Sequence, residues 1–205
     1  NWYSFYRNRA LATISAAALA FYDVSPSVRL SWQALNACKK FDGTDSACAN
    51  NALKAYSPEH KGQLYKWLKS MAFDGGTPLP EAMIRAGEFY KTAEVWKKNP
   101  YGTDNTTQNT YACRASYHIM MTDGVWNGTF TAPSNFRQDA STFTLPDSKA
   151  FAKRAPYYDK TSNTLADLAM HYWATDLNTS LPNSLTAYIP FKSGDNNTDY
   201  WDPRN

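Results

Sequence analysis

Hydrophobic and polar positions along the 205-residue chain follow two different periods. Apolar residues three and four positions apart are typical of helices with one buried face, and strict alternation is typical of strands. The predicted elements are helices over about 4–22, 57–71, 79–97 and 164–173, and strands at Val28–Leu35 and Ala115–Met121. Helices and strands in this order indicate an α/β fold with a largely parallel sheet. Two strands are too few to cover these helices, so further strands must lie in the loops or outside this chain.

Local signals mark where two of the helices begin. Ser57 followed by Pro58 provides an N-cap and a proline at the first helical position. Thr164 and Asp167 form a capping-box pattern, with Asp in place of the usual Glu. Between these helices, residues 125–160 show little periodicity and are predicted to be an irregular insertion. No linker divides the chain, so we predict a single domain.

Composition favours an exported protein with a folded core. Hydrophobic residues make up 43% of the chain, aromatic residues 15% and charged residues only 19%, below the usual quarter for charged residues. The net charge is only +3, and Lys and Arg form no basic stripe along the sequence. Both facts argue against a nucleic-acid partner. No apolar stretch is long enough to span a membrane.

The three cysteines indicate whether the protein lies in an oxidising or a reducing compartment. Cys38 and Cys48 lie in the polar sequence NACKKFDGTDSAC, which we interpret as a short loop closed by a disulfide. The alternative is two free thiols in a reducing cytosol. Cys113 is left over, and an odd cysteine in an exported protein suggests a partner outside the chain. We therefore expect Cys113 to have no disulfide partner within these 205 residues.

Two loops carry groups that suit a divalent cation. Gly75-Gly76-Thr77-Pro78-Leu79 precedes a predicted helix, and Thr122-Asp123-Gly124 follows a predicted strand. In open α/β sheets, ligands bind at the carboxyl ends of the strands. A threonine hydroxyl and an aspartate carboxylate are hard oxygen ligands for Mg²⁺ or Ca²⁺. The simpler alternatives are that Thr77 caps the following helix and that Asp123 terminates its strand.

Several motifs resemble a known family. The sequences GGTPLPEAM and YHIMMTDGVWNG resemble the second and third metal-site motifs of von Willebrand factor A (vWA) domains. The longer strings NWYSFYRNRAL, TPLPEAMIRAGEFY, CRASYHIMMTDGVWNG and SNTLADLAMHYWATDL resemble, in this order, the vWA region of PilY-type proteins at the tips of type IV pili. The resemblance covers most of the chain and is weakest in the disulfide loop and over residues 129–160.

The resemblance implies a fold and a site. The fold would be a vWA-like (Rossmann-like) layered sheet with helices on both faces, incomplete at both ends, so that residues 1–205 form a single partial domain. Thr77 and Asp123 would be metal ligands, direct or through water, and Gly76 and Gly124 are candidates for the ligand face. Trp126, which follows the second loop, either contacts a ligand on that face or anchors its own loop. In this family the Asp-x-Ser-x-Ser motif of the first strand precedes the NWYSFY-like helix, and it is not found ahead of that helix here. Two ligands cannot supply the six or more oxygens that Mg²⁺ or Ca²⁺ requires. We therefore expect the cation in the intact domain but not in this fragment alone.

The function implied by the resemblance is that of a pilus-tip adhesin that supports type IV pilus assembly, surface attachment and surface sensing. Its partners would be minor pilins, host or abiotic surface ligands, and the remaining segments of the same protein. Its location would be the cell surface, the pilus tip or the outer membrane, and it would not be an enzyme. The alternative is an exported hydrolase acting on glycans or peptides, because Glu81 and Glu88 lie seven apart on one helix face. No nucleophile or metalloprotease motif supports that alternative.

Overall fold

The protein is described by a computed structural model that covers residues 1–102, 109–122, 124–137, 142–144, 150–151 and 158–182. The chain forms two compact units. The first comprises Asn1–Pro78 and Asn99–Gln108, and the second comprises Leu79–Lys98 and Asn109–Asn205. None of the described helices is long and apolar enough to cross a membrane. The single domain with an insertion at 125–160 stays a prediction.

The first unit begins with two helices where the sequence predicts one. Helix α1 covers Trp2–Tyr6 and helix α2 covers Arg9–Ala20. Asn8 separates them, because its extended backbone (φ −141°) lets its side chain accept a hydrogen bond from the Leu11 N–H at 2.9 Å. This is an N-cap, which starts a new helix.

Helix α3, Pro58–Ser70, confirms the predicted start and most of the predicted apolar face. The Ser57 side chain accepts from the His60 N–H, and Pro58 occupies the first turn. Leu64, Trp67 and Leu68 are buried. They form the core of the first unit together with Trp32, Cys38, Cys48 and Tyr56, while Ile14, Ala17 and Ala18 of α2 pack against it. Leu11 and Leu19 of α2 are exposed.

The strand predicted at Val28–Leu35 is much shorter than expected. Strand β1, Arg29–Leu30, pairs antiparallel with β2, Lys54–Ala55. Beyond Leu30 no described strand pairs with the chain, and part of its backbone bonds to side chains. The Asn51 amide donates to the Trp32 carbonyl at 2.6 Å. The Trp32 indole in turn donates to the Cys48 carbonyl at 2.9 Å.

The predicted disulfide is present. Cys38 and Cys48 are bonded with their Cα atoms 5.1 Å apart, and both residues are buried. The loop between them contains a short 3₁₀ helix, Ser46–Cys48. Asn51 holds the base of the loop, since its amide also donates to the Lys40 carbonyl at 2.7 Å. Cys113 is free and exposed, as predicted.

The described residues of the second unit form three helices. Helix α4 covers Leu79–Tyr90, α5 covers Ala93–Trp96 and α6 covers Leu165–Trp173. The single helix predicted over 79–97 is wrong, because it ends at Tyr90. The Thr92 hydroxyl donates to the Phe89 carbonyl at 2.7 Å and the Trp96 indole to the Tyr90 carbonyl at 3.0 Å. These bonds satisfy carbonyls at the end of α4.

Helix α6 begins at the predicted capping box. The Thr164 side chain accepts from the Asp167 N–H, and the Asp167 side chain accepts from the Thr164 N–H. Helix α6 packs on α4 through Tyr172, whose ring lies so close to Gly87 that a β-carbon there would collide with it. Glycine therefore permits the close approach of the two helices.

The parallel sheet is the main prediction that fails in the described residues. Two small antiparallel sheets are present, β1 with β2 and, in the second unit, β3 (Phe143–Thr144) with β4 (Ala150–Phe151). The segment Ala115–Met121 is not a strand. Within the described residues no neighbouring strand pairs with it, and alternation of side chains alone does not form a ladder. The chain is thus a mixture of helices and small sheets.

Candidate functional site

The first candidate loop connects α3 to α4 and is positioned by Asn36. The Asn36 amide donates to the Asp74 carbonyl at 2.8 Å. Gly75 has a positive φ of +84°, and a β-carbon there would collide with the same amide. The turn therefore requires glycine for its backbone angle and for space.

The two ligand-face residues of this loop differ in exposure. Gly76 is exposed and faces open space, so a group from outside can approach its backbone. Thr77 is half-buried and lies two residues before the start of α4. A hydroxyl at this position has the oxygen chemistry that Mg²⁺ or Ca²⁺ prefers.

The second candidate loop surrounds position 123. Asp123 itself lies outside the described residues. On either side of it, the Thr122 hydroxyl accepts from the Gly124 N–H at 3.2 Å and lies 3.3 Å from the Gly124 carbonyl oxygen. Gly124 is exposed, with a φ of +147°, and Trp126 is half-buried. The flanking residues are thus hydrogen-bonded to each other across position 123.

The described residues do not form a metal site by themselves. No group of three or more His, Cys, Asp or Glu side chains within them is placed to hold a metal ion. Thr77 fits a hard divalent cation by its chemistry, but one hydroxyl is far from the six or more oxygens that such an ion needs. The assignment of Thr77 and Asp123 as ligands stays a prediction.

Next to the second loop lies an exposed apolar strip formed by Tyr117, Ile119, Met121 and Val125. The exposed fractions of the first two are 81% and 74%, and that of Val125 is 88%. The Tyr90 hydroxyl donates to the Tyr117 carbonyl at 2.7 Å and holds one end of the strip to α4. Four large apolar side chains are thus exposed within nine residues of the chain.

A polar and aromatic cluster in the second unit was missed by the sequence analysis. It joins Glu88 of α4 and Lys91, which directly follows that helix, to His171 and Tyr172 of α6, and Phe136 packs against it. The hydrogen-bonded residues Glu88 and Tyr172 lie 84 positions apart in the sequence. No local sequence pattern could therefore predict this cluster. The capping box that starts α6 was the only nearby signal.

The electrostatics of this cluster keep Glu88 charged. Burial opposes ionisation, but hydrogen bonds from Lys91 at 2.7 Å and Tyr172 at 3.0 Å lower the pKa of Glu88 below its usual value. The same neighbourhood raises the pKa of Tyr172, through burial and the Glu88 carboxylate. A general acid needs a raised pKa. The lowered pKa of Glu88 does not suit a general acid, and Glu81 lies exposed in the first turn of α4.

Comparisons with known proteins identify relatives along the whole chain. No family model matches, and no solved structure is significantly similar. The chain is 48% identical over 206 residues to the type IV pilus biogenesis factor PilY1 of Pseudomonas aeruginosa strain UCBPP-PA14. It is 45% identical over 207 residues to PilY1 of strain PAK, and 43% identical over 210 residues to that of strain PAO1. All of this chain is covered, but it spans only 17–18% of the length of these relatives. The resemblance to PilY-type pilus proteins predicted from the motifs is thereby confirmed, for a segment of such a protein.

Proposed function

Because the chain is a relative of PilY-type pilus biogenesis factors along its whole length, we propose that it is part of an exported protein that supports type IV pilus assembly, surface attachment and surface sensing. The observation that carries this proposal is the 43–48% identity over all of the chain. The disulfide between Cys38 and Cys48 agrees with export, because disulfides persist in oxidising compartments. The partners would be minor pilins, surface ligands and other segments of the same protein, and the location would be the cell surface, pilus tip or outer membrane.

The fold of this segment would be part of a vWA-like layered sheet. The apolar strip supports this view, since Tyr117, Ile119 and Met121 alternate as in a strand and are exposed in the described structure. In a strand these three side chains lie on one face, which a layered sheet buries against its helices. In a protein of the relatives' length, a neighbouring strand from another segment would pair with it.

The attachment activity would depend on a divalent cation at the ligand face. Thr77 and Asp123 would supply two oxygen ligands, and an Asp-x-Ser-x-Ser segment of the longer protein would supply most of the rest. A partner carboxylate would complete the coordination. The support lies in the two loops, where Gly76 and Gly124 are exposed and leave room for a ligand. Trp126, half-buried beside the second loop, would contact the partner.

Attachment measured in cells tests this function. A strain that lacks its PilY-type protein would receive a full-length version containing this segment, either unchanged or with Asp123→Ala. We expect the unchanged protein to restore surface attachment, and Asp123→Ala to leave it near the level of the deletion strain, because the cation would lose a charged ligand. Glu59→Ala, which removes an equal charge from an exposed position in the first turn of α3, is the matched control and should restore attachment.

Two outcomes would count against the proposal. Full attachment with Asp123→Ala, at equal protein level, would reject the metal-dependent ligand face while leaving the pilus assignment intact. Failure of the unchanged full-length protein to restore either pili or attachment would reject the assignment of this segment to pilus function.

A further inference from the structure

His171 is the centre of a contact that fixes a loop to α6. The residue is buried, with 4% of its surface exposed, and its ring stacks on that of Phe136 with centroids 3.9 Å apart and planes within 6°. Phe136 is itself buried and meets Tyr172 edge to face at 5.6 Å. The segment Pro133–Arg137 is therefore docked on the C-terminal half of α6.

Hydrogen bonds fix the protonation state of the histidine. The Arg137 backbone N–H donates to His171 Nδ1 at 3.2 Å, so that nitrogen must carry a lone pair. The neutral ring then holds its proton on Nε2, which is buried and has no partner among the described residues. The Arg137 guanidinium also donates to the Thr175 hydroxyl, which donates to the His171 carbonyl at 2.6 Å.

Charges on two elements disfavour protonation of this ring. Burial, the Arg137 guanidinium and the Lys91 ammonium lower the pKa of His171 to about 4, and the Glu88 carboxylate only partly offsets them. Glu88 is already engaged by Lys91 and Tyr172. A proton on Nδ1 would make that nitrogen a donor facing the Arg137 N–H, so the hydrogen bond between them would be lost. It would also add a third positive charge to those of Arg137 and Lys91.

We propose that His171 is an acid-sensitive latch, which holds the segment Pro133–Arg137 on α6 while the ring is neutral and releases it when Nδ1 is protonated. The other end of the segment is held by the Ala132 N–H, which donates to Asn163 Oδ1 at 2.8 Å. Asn163 does not titrate, so the release is local and exposes the Phe136 ring. This device is independent of the metal-dependent ligand face.

The direction of the pH effect follows from linkage. The folded pKa of His171, about 4, lies below the usual value of 6.5. The docked state is therefore fully stabilised above about pH 6.5 and loses stability as the pH falls towards 4. Each unit of pKa difference changes the docking equilibrium by about tenfold. We expect docking to weaken by more than about tenfold between pH 7 and pH 4.

Amide hydrogen exchange of the 205-residue chain, corrected for intrinsic rates, tests the latch. Protection of the Arg137 amide should fall with pH in step with the titration of the His171 ring followed by NMR. In His171→Gln, the side-chain carbonyl can accept from Arg137 without titrating, so protection should be independent of pH. In Asn163→Ala, protection should be lower at every pH but should keep its pH dependence.

Several results would overturn the proposal. One is protection of the Arg137 amide that does not change with pH while the His171 ring titrates in the unchanged chain. This comparison does not require any variant to fold. A second is an unchanged fall of protection in His171→Gln. A third is simultaneous loss of protection at Ala82 and Ala86 of α4, which would show general acid unfolding of the second unit instead of a local release.

Discussion

Removal of the Cys38–Cys48 disulfide is expected to lower the free energy of unfolding of the first unit by about 3 kcal/mol. The crosslink closes a loop of ten residues and so restricts the unfolded chain. Both cysteines are also buried in the core beside Trp32, whose indole donates to the Cys48 carbonyl at 2.9 Å. Opening the loop therefore loosens the aromatic core as well.

Urea denaturation followed by tryptophan fluorescence measures this effect, because Trp32 and Trp67 both lie in that core. The double variant Cys38→Ser, Cys48→Ser should unfold at a lower urea concentration than the unchanged chain. Cys113→Ser is the matched control, since Cys113 is exposed and free, and its midpoint should not move. Equal midpoints for the double variant and the unchanged chain would show that the disulfide does not support the fold.

The apolar strip is expected to be covered in a protein of the relatives' full length. Backbone amides of Tyr117–Met121 should exchange with solvent more slowly there than in the 205-residue chain, by on the order of a thousandfold. The reason is that a strand in a sheet interior gains a partner for each backbone group, whereas within the described residues this segment is not part of any sheet. Burial of Tyr117 and Ile119 would add stabilisation from apolar surface removed from water.

Hydrogen exchange of the two proteins under the same conditions makes this comparison. Amides of Leu64 and Trp67 in α3 are the internal control, because they already lie in a buried helix and should exchange at similar rates in both. As a second check, Ile119→Lys should destabilise the longer protein but leave the 205-residue chain nearly unchanged. An unprotected strip in the longer protein would contradict the vWA-like sheet.

Features that depend on a few neighbouring residues could be predicted from the sequence. The start of α3 at Ser57 and the capping box at Thr164 were correct, because a cap needs only a side chain and an N–H three residues apart. The Cys38–Cys48 disulfide is likewise a local closure. The break at Asn8 was missed although its signal was local, since the alanine-rich sequence after it favours helix so strongly.

Features that depend on distant residues could not be predicted. The strand at Val28–Leu35 was shortened because Asn51, nineteen residues beyond Trp32, bonds to its backbone. The Glu88–Tyr172 contact brings together residues 84 positions apart. Alternation at Ala115–Met121 indicated which side chains suit a strand but not whether a partner strand is present.

The candidate metal loops likewise combine local features, which the sequence predicts, with a feature that depends on distant segments. Thr77 and Asp123 were proposed from short motifs, and the turns at Gly75 and Gly124 agree with loops that require glycine. The number of ligands depends on how separate segments meet, and this property cannot be read from either motif. A direct measurement of cation binding is therefore needed.

Titration calorimetry of a full-length protein containing this segment, with Mg²⁺ or Ca²⁺ as titrant, tests the metal-dependent ligand face most directly. We expect divalent binding that Asp123→Ala weakens by at least about tenfold. We expect no binding by the 205-residue chain alone, since two ligands cannot hold the ion. Unchanged affinity in Asp123→Ala would contradict the assignment of Asp123 as a ligand.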